Sequence, residues 1–157
     1  MAGNVVYNAH VEADSTIWLA TNGGISTSTD GGASCSSLTT AQGISGNSLR
    51  GVYADGAEIW AATSARLNHS VDGGASWTWF STLEGMGSNY GHDIGLASGR
   101  LFVPTNDGGV SLTADDGATW QVHHTAHGLG SNLVRAVATR SDRVAVATSA
   151  GIAFAAP

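Results

Sequence analysis

The sequence predicts an all-β fold assembled from repeated units, and two observations lead to this. The side chains of strand-like segments, such as residues 59 to 64, fall into two alternating sets, and no capped stretch of ten residues has helical spacing. The chain also repeats itself, because its aligned threonines stand 42, 42 and 43 residues apart, at Thr21, Thr63, Thr105 and Thr148. A fixed interval of this size indicates supersecondary modules that bury their apolar faces against one another.

A second sequence mark has the same period. The segments STDGGASC, SVDGGASW and TADDGATW begin at residues 28, 70 and 113, which are 42 and 43 residues apart. A third mark, a glycine at positions 3, 46, 87 and 130, sets the predicted repeat boundaries at 3–45, 46–86, 87–129 and 130–157. The last of these repeats is incomplete.

Each repeat has room for four short strands. In the second repeat we predict strand A at 50–54, B at 59–63, C at 67–71 and D at 77–81. Four strands in 42 to 43 residues match one blade of a β-propeller, whereas a β-sandwich predicts no fixed period. We therefore predict one propeller domain, 1–157, with three four-stranded antiparallel blades and a three-stranded fourth that ends in its strand C at 152–156.

Composition excludes several classes of partner. The chain has 157 residues with 6 arginines, no lysine and 12 acidic residues, and its net charge of −6 repels a nucleic-acid backbone. No apolar run reaches the roughly 20 residues that cross a bilayer, and the N-terminal segment lacks a signal-peptide core. We expect a soluble protein without nucleic-acid or membrane partners and without a cofactor or metal. The sequence leaves its location open, and a secreted or periplasmic protein would need a leader that has been removed.

The repeated motif carries a family resemblance. Ser/Thr-x-Asp-x-Gly-x-Ser/Thr-Trp resembles the Asp-box (BNR) repeat of sialidase-like and xyloglucanase-like propellers, and residues 129–152 are similar to blades of two-component-regulator propellers. Together these resemblances cover essentially the whole chain. They imply a propeller whose ligands meet the upper loops and the central channel.

The Asp-box residues have a structural interpretation. The aspartate is expected to accept backbone hydrogen bonds, the glycine to supply a positive φ and the tryptophan to pack between sheets. Cys35 replaces the tryptophan in the first copy, where we expect it to be a small buried residue. The predicted structural set is Ser28, Asp30, Gly32, Ser70, Asp72, Gly74, Trp77, Thr113, Asp115, Gly117 and Trp120.

The candidate ligand-binding residues come from two aligned positions. Strand A begins near Tyr7, Arg50, His92 and Arg135 in the four repeats, and the innermost strands of a propeller line its channel. Arginine suits a carboxylate or phosphate, although these arginines could instead pair with acids such as Asp93. The variable B-to-C loops add Asn22, Arg66, Asn106 and Asp107, with ordinary polar turns as the alternative.

These residues predict a non-catalytic binding or interaction scaffold for a carbohydrate or small anionic ligand. The alternative is a glycoside hydrolase, sialidase-like or xyloglucanase-like, whose site a partner subunit completes. Glu84 is the one glutamate in a D-to-A loop, and no second acid aligns with it. Tyr90 could stack on a sugar ring, and so could Trp79, although for Trp79 we expect core packing. His123, His124 and His127 form a weak metal motif, because adjacent strand residues point to opposite faces.

The incomplete fourth repeat would expose a strand edge. We expect a second copy to cover it, which gives a homodimer that completes a ring of about eight blades. A monomer closed from four blades is the alternative.

Overall fold

The structure is a computed structural model that describes residues 1–155. No helix in that range is long and apolar enough to cross a membrane. Short 3₁₀ helices stand at Thr40–Gln42 and Thr125–His127. The strands are β1 (Val6–Val11), β2 (Ile17–Thr21), β3 (Gly24–Ser28), β4 (Ser36–Leu38), β5 (Leu49–Asp55), β6 (Glu58–Thr63), β7 (Leu67–Ser70), β8 (Thr78–Phe80), β9 (Gly95–Ala97), β10 (Arg100–Pro104), β11 (Val110–Thr113), β12 (Gln121–His123), β13 (Val134–Arg140), β14 (Arg143–Thr148) and β15 (Gly151–Ala155).

The described strands form four antiparallel sheets in which neighbours in sequence are neighbours in space. The orders are β1-β2-β3-β4, β5-β6-β7-β8, β9-β10-β11-β12 and β13-β14-β15. These sheets are the blades of a β-propeller, so the predicted fold class is confirmed, including the three-stranded fourth blade. In the second blade, strand C ends at Ser70 and strand D begins at Thr78, each slightly inside the predicted range. Ala156, the predicted end of the last strand, lies outside the described residues.

The chain divides into two compact units, Met1–Trp79 and Phe80–Pro157. In the first unit, β5 packs against β1 and β2, and the core is built around Ile25, Leu49 and Ile59. In the second, β13 packs against β9 and β10 around Phe102 and Val134. Each unit therefore has its own hydrophobic core.

The third blade departs from the predicted pattern at its inner strand. β9 begins at Gly95, so His92 precedes it, although Gly91 still makes an isolated bridge to Thr105. The carboxylate of Asp93 accepts the Ile94 N–H at 2.9 Å and the Val137 N–H at 3.0 Å. The Asp93 carboxylate therefore links the segment before β9 to β13 of the next blade.

The aligned threonines close the turn between strands B and C. Each Oγ1 donates a hydrogen bond across the turn, to Gly24 O at 2.7 Å, Arg66 O at 2.8 Å, Gly109 O at 2.8 Å and Gly151 O at 2.9 Å. Thr21, Thr63 and Thr105 are fully buried, where an unpaired hydroxyl would be costly. The aligned threonines, which are the most regular feature of the sequence, therefore have a structural role.

The Asp-box turns share one hydrogen-bond pattern. In the second blade Asp72 Oδ1 accepts from Ser70 Oγ at 2.8 Å and Ser76 N at 2.9 Å, and Oδ2 accepts from Ser76 Oγ at 2.6 Å. Gly74 has a φ of 89° and donates its N–H to Ser70 Oγ at 2.8 Å. Hydrogen bonds from Ser76, first from its side chain and then from its backbone, lower the Asp72 pKa to about 2.

The other two boxes repeat these contacts. Ser34 supplies the hydrogen bonds that lower the pKa of Asp30 to about 2, and Thr119 supplies those that lower the pKa of Asp115. Hydroxyls of Ser28 and Thr113 donate to the same carboxylates at 2.8 Å, and they accept the N–H groups of Gly32 and Gly117. The three carboxylates hold the C-to-D turns in place.

The Asp-box tryptophans join consecutive repeats within each unit. Trp77 packs on the first unit's core and lies against Gly43, where an added Cβ would be 3.4 Å from Trp77 Cδ1. In the second unit, the Trp120 ring meets Phe80 edge to face with centroids 5.7 Å apart, and its Cβ faces Gly85. Cys35 is exposed, so the expectation of a buried filler is wrong. Leu38 and not Cys35 packs on the core at that end of the first blade.

Candidate functional site

The aligned start of strand A coincides with a β-bulge. In the first blade the register runs from Val6 opposite Thr21 to Asn8 opposite Ala20, which leaves Tyr7 unpaired between them. The same irregularity leaves Arg50 between Leu49 and Gly51, and Arg135 between Val134 and Ala136. A bulge bends the strand and redirects the extra residue, a device that is frequent beside binding sites.

Each aligned strand-A residue lies close to the B-to-C loop of its own blade. The first residue after the aligned threonine donates its N–H to the carbonyl two residues before Tyr7, Arg50, His92 or Arg135. These bonds are Asn22 to Val5 at 3.0 Å, Ser64 to Ser48 at 3.3 Å, Asn106 to Tyr90 at 3.0 Å and Ser149 to Leu133 at 3.0 Å. The two sets of candidate residues therefore share one edge of each blade.

In the first unit this edge brings two candidates into contact. The guanidinium carbon of Arg50 lies 3.9 Å from the centroid of the Tyr7 ring. Arg50 is half-buried, and Tyr7 is 42% exposed. Arg50 therefore lies over the face of an aromatic ring that itself stands at a bulge, which restricts the orientation of the planar guanidinium.

The same unit contains a second aromatic and arginine pair. Arg66 lies over the ring of Trp79 with its guanidinium carbon 5.3 Å from the centroid, and Trp79 is 44% exposed. Trp79 Nε1 donates to the Gly43 carbonyl at 3.0 Å, which fixes the indole at the surface. The expectation that Trp79 packs in the core is therefore wrong. The place of Trp79 on the predicted outer strand D was the signal available from the sequence. Asn22 has a local task, because its Oδ1 accepts the Val5 N–H at 3.2 Å.

In the second unit the histidine is held by its neighbours. His92 Nε2 lies 3.3 Å from Asn106 Oδ1, so this nitrogen donates to the amide oxygen. The Tyr90 ring meets His92 edge to face, with centroids 4.8 Å apart. Arg135 and Asp107 are exposed. The structure therefore brings together Tyr7 with Arg50, and His92 with Asn106.

Glu84 has a structural task in its loop. Its Oε2 accepts the Ser81 N–H and the Ser81 hydroxyl, both at 2.7 Å. The equivalent loop of the first repeat uses Gln42, whose Oε1 accepts the Thr39 N–H at 2.9 Å. An amide performs the same cap there, so the position does not require an acid.

The histidine group is also used in capping. His124 precedes the 3₁₀ helix Thr125–His127 and accepts the Ala126 N–H through Nδ1 at 3.3 Å. His127 Nδ1 accepts the His124 N–H at 3.4 Å. Two of the three imidazoles therefore close this loop, and no cluster of three or more metal-ligating side chains occurs in the part of the chain that the structure describes.

Comparison with known proteins is informative for the fold alone. No family model matches the sequence, and no curated protein matches it significantly. The extracellular domain assigned to the hybrid two-component system BT3049 of B. thetaiotaomicron is similar, with a TM-score of 0.82 and 16% identity over 100% of this chain. YCF48 bound to D1 peptide has a TM-score of 0.72 and 21% identity over 99% of this chain, and an ancestral GH74 enzyme has 0.66 and 16% over 93%. This chain spans 22%, 51% and 22% of those three chains, respectively.

Proposed function

We propose that the chain is a non-catalytic binding scaffold that recognises a carboxylate-bearing small molecule, with acidic sugars as the first class to test. The observation that carries the proposal is Arg50 stacked on Tyr7 at a bulge. A guanidinium held over a ring can direct its N–H edge at a carboxylate, and bidentate pairing of this kind is strong and geometrically specific.

The other loop-edge residues extend this recognition within their own units. Trp79 with Arg66 offers an exposed aromatic face beside a cation, an arrangement suited to a sugar ring that bears an acid. In the second unit, the amide NH2 of Asn106, whose oxygen contacts His92, and the exposed Arg135 supply hydrogen-bond donors. The neighbours that are extracellular domains favour a secreted or periplasmic location, which is part of the proposal.

A binding screen tests this function. Acidic and neutral glycans are titrated against the wild type and the double variant Arg50→Ala/Arg135→Ala. The matched control is Arg140→Ala/Arg143→Ala, which removes the same charge from exposed arginines that lie 3.6 and 3.8 Å from Asp142. We expect the wild type to bind acidic glycans, the Arg50→Ala/Arg135→Ala variant to lose this binding and the control variant to keep it. Equal loss in both variants, or a preference for neutral glycans, would overturn the proposal.

The hydrolase alternative has its own readout. Chromogenic sialosides and xyloglucan fragments are incubated with the wild type and with Glu84→Gln. Turnover that the substitution abolishes would establish an enzyme, whereas the capping contacts of Glu84 support the scaffold.

We further propose that a second copy completes the assembly as a ring of about eight blades. Ile152 and Phe154 on β15 are 69% and 74% exposed, whereas Val110 and Leu112, which take the corresponding places in the third blade, are 3% and 8% exposed. Val6 and Val11 on β1 are also exposed. Light scattering at micromolar concentration should give a dimer mass that falls to the monomer value in Phe154→Asp. A wild-type protein that is strictly monomeric would contradict this.

A further inference from the structure

The second unit contains a cavity that corresponds to the place of an Asp-box tryptophan. The cavity has a volume of about 210 Å³ and lies between the third and fourth sheets. Its lining includes Gly128, Leu129, Val146, Ala153 and Phe154, together with the polar residues Arg100, Gln121, His123 and His127. It lies beside β15, the last described strand of the three-stranded sheet.

Two positions in this lining match positions that contact the tryptophans elsewhere. Gly128 corresponds in the repeat to Gly43 and Gly85, which lie against Trp77 and Trp120. His123 corresponds to Leu38 and to Phe80, the residue that meets the Trp120 ring. An added Cβ at Gly128, by contrast, would meet no atom within 4 Å.

The residue that follows Gly128 is also less buried than its equivalents in the first two repeats. Ile44 and Met86 are 3% and 4% exposed, and in each case the next repeat supplies a tryptophan, Trp77 or Trp120. Leu129, at the equivalent place, is only half-buried. The walls of a tryptophan site are therefore present in the second unit without the indole that covers them elsewhere.

We propose that this cavity binds a tryptophan carried by an Asp-box-type segment of another polypeptide, which adds as an antiparallel strand to β15. An edge strand offers unpaired backbone donors and acceptors, and strand addition with side-chain pockets is an established mode of peptide recognition. An apolar cavity of roughly 150 Å³ already accommodates benzene, so 210 Å³ leaves room for the larger indole. This inference does not depend on the proposed ligand-binding function.

The probe is a synthetic peptide with the sequence of residues 113–123, TADDGATWQVH, which forms the box and outer strand of the third blade. The control peptide carries alanine at the Trp120 position. Both are titrated calorimetrically into the full chain, and thermal unfolding is followed in parallel. We expect the first peptide to bind and to raise the Tm, and the control to bind at least about tenfold more weakly.

A cavity-filling variant locates the site. Ala153→Trp places an indole in the cavity from β15 itself and should abolish peptide binding, whereas Ile152→Trp, on the other face of the same strand, should retain it. If Ala153→Trp does not fold, the comparison of the two peptides on the wild-type protein still tests the proposal. Binding that is equal for both peptides would overturn the proposal.

Two further outcomes would also contradict it. Free indole that binds while the peptide does not would make the cavity a small-molecule site. A concentration-dependent dimer that Ala153→Trp abolishes, without peptide binding, would make a second copy the occupant.

Discussion

The guanidinium carbon of Arg50 lies 3.9 Å above the Tyr7 ring, and each residue stands at the bulge that opens its own blade. The repeat period places them at the same point of adjacent sheets, and the bulge directs both side chains to the loop edge. Their contact pre-orients a cation on a surface whose overall charge is negative.

We expect Tyr7→Leu to destabilise the fold slightly and to weaken anion binding, because it removes the ring under Arg50. The stability effect should be about 0.5 to 1 kcal/mol, as for exposed cation–π pairs. Tyr7→Phe is the matched control, since it keeps the ring and loses only the hydroxyl. Chemical denaturation measures the difference, and equal losses in the two variants would show that the ring contact is unimportant.

The packing of the Asp-box tryptophans between consecutive repeats should contribute strongly to the stability of each unit. Trp77→Ala and Trp120→Ala remove partly buried indoles that connect consecutive repeats, and each should cost about 3 kcal/mol, the low end for large aromatics. Cys35→Ala, at the equivalent but exposed position, should change the free energy of unfolding by less than about 0.5 kcal/mol. If the three variants have similar free energies of unfolding, the tryptophans do not stabilise the contact between consecutive repeats.

Fold and site were predictable from the sequence to different degrees. The interval between aligned threonines reports a turn that recurs in every blade, so blade number and strand order could be read from it. The bulges could not, because they occur at a tyrosine, Tyr7, as well as at Arg50 and Arg135, and a bulge is a property of strand register. The exposure of Cys35 and Trp79 depends on which loop covers each outer strand, and one strand's sequence does not specify that.

The fully buried Thr63 of the second blade's B-to-C turn should be more sensitive to substitution than its half-buried equivalent, Thr148. Thr63→Val leaves the Arg66 carbonyl and the N–H groups of Ala65 and Arg66 without the hydroxyl, at a cost of about 1 to 3 kcal/mol. Thr148→Val alters a turn that water reaches and should cost less. Urea denaturation of the two variants measures the contrast, and an equal cost would argue against burial as the reason.

Stability should depend on pH through the Asp-box carboxylates. The folded-state pKa of Asp72, about 2, lies below its ordinary value of 3.8, so its hydrogen bonds stabilise the fold above about pH 4. This stabilisation is lost as pH falls towards 2. The wild type should therefore exceed Asp72→Asn in Tm above pH 4, with the gap closing between about pH 4 and 2. Asp107→Asn, in an exposed loop, is the control. A gap that is constant across this range would contradict the assignment.

Glu84 should behave as a cap. Glu84→Gln keeps an oxygen acceptor for Ser81, as Gln42 does for Thr39, and should leave the Tm nearly unchanged. Glu84→Ala removes that acceptor and should cost about 0.5 to 2 kcal/mol. If both substitutions destabilise equally, the carboxylate charge and not the hydrogen bond matters at this position.

The most direct test of the binding function is calorimetric titration of the best acidic glycan into the wild type, Arg50→Lys and Arg140→Lys. Lysine keeps the charge and loses the planar fork, so the account predicts that Arg50→Lys weakens binding by at least about tenfold, while Arg140→Lys leaves it unchanged. Undiminished affinity in Arg50→Lys would mean that the Arg50 and Tyr7 geometry does not recognise the ligand, and it would contradict the account.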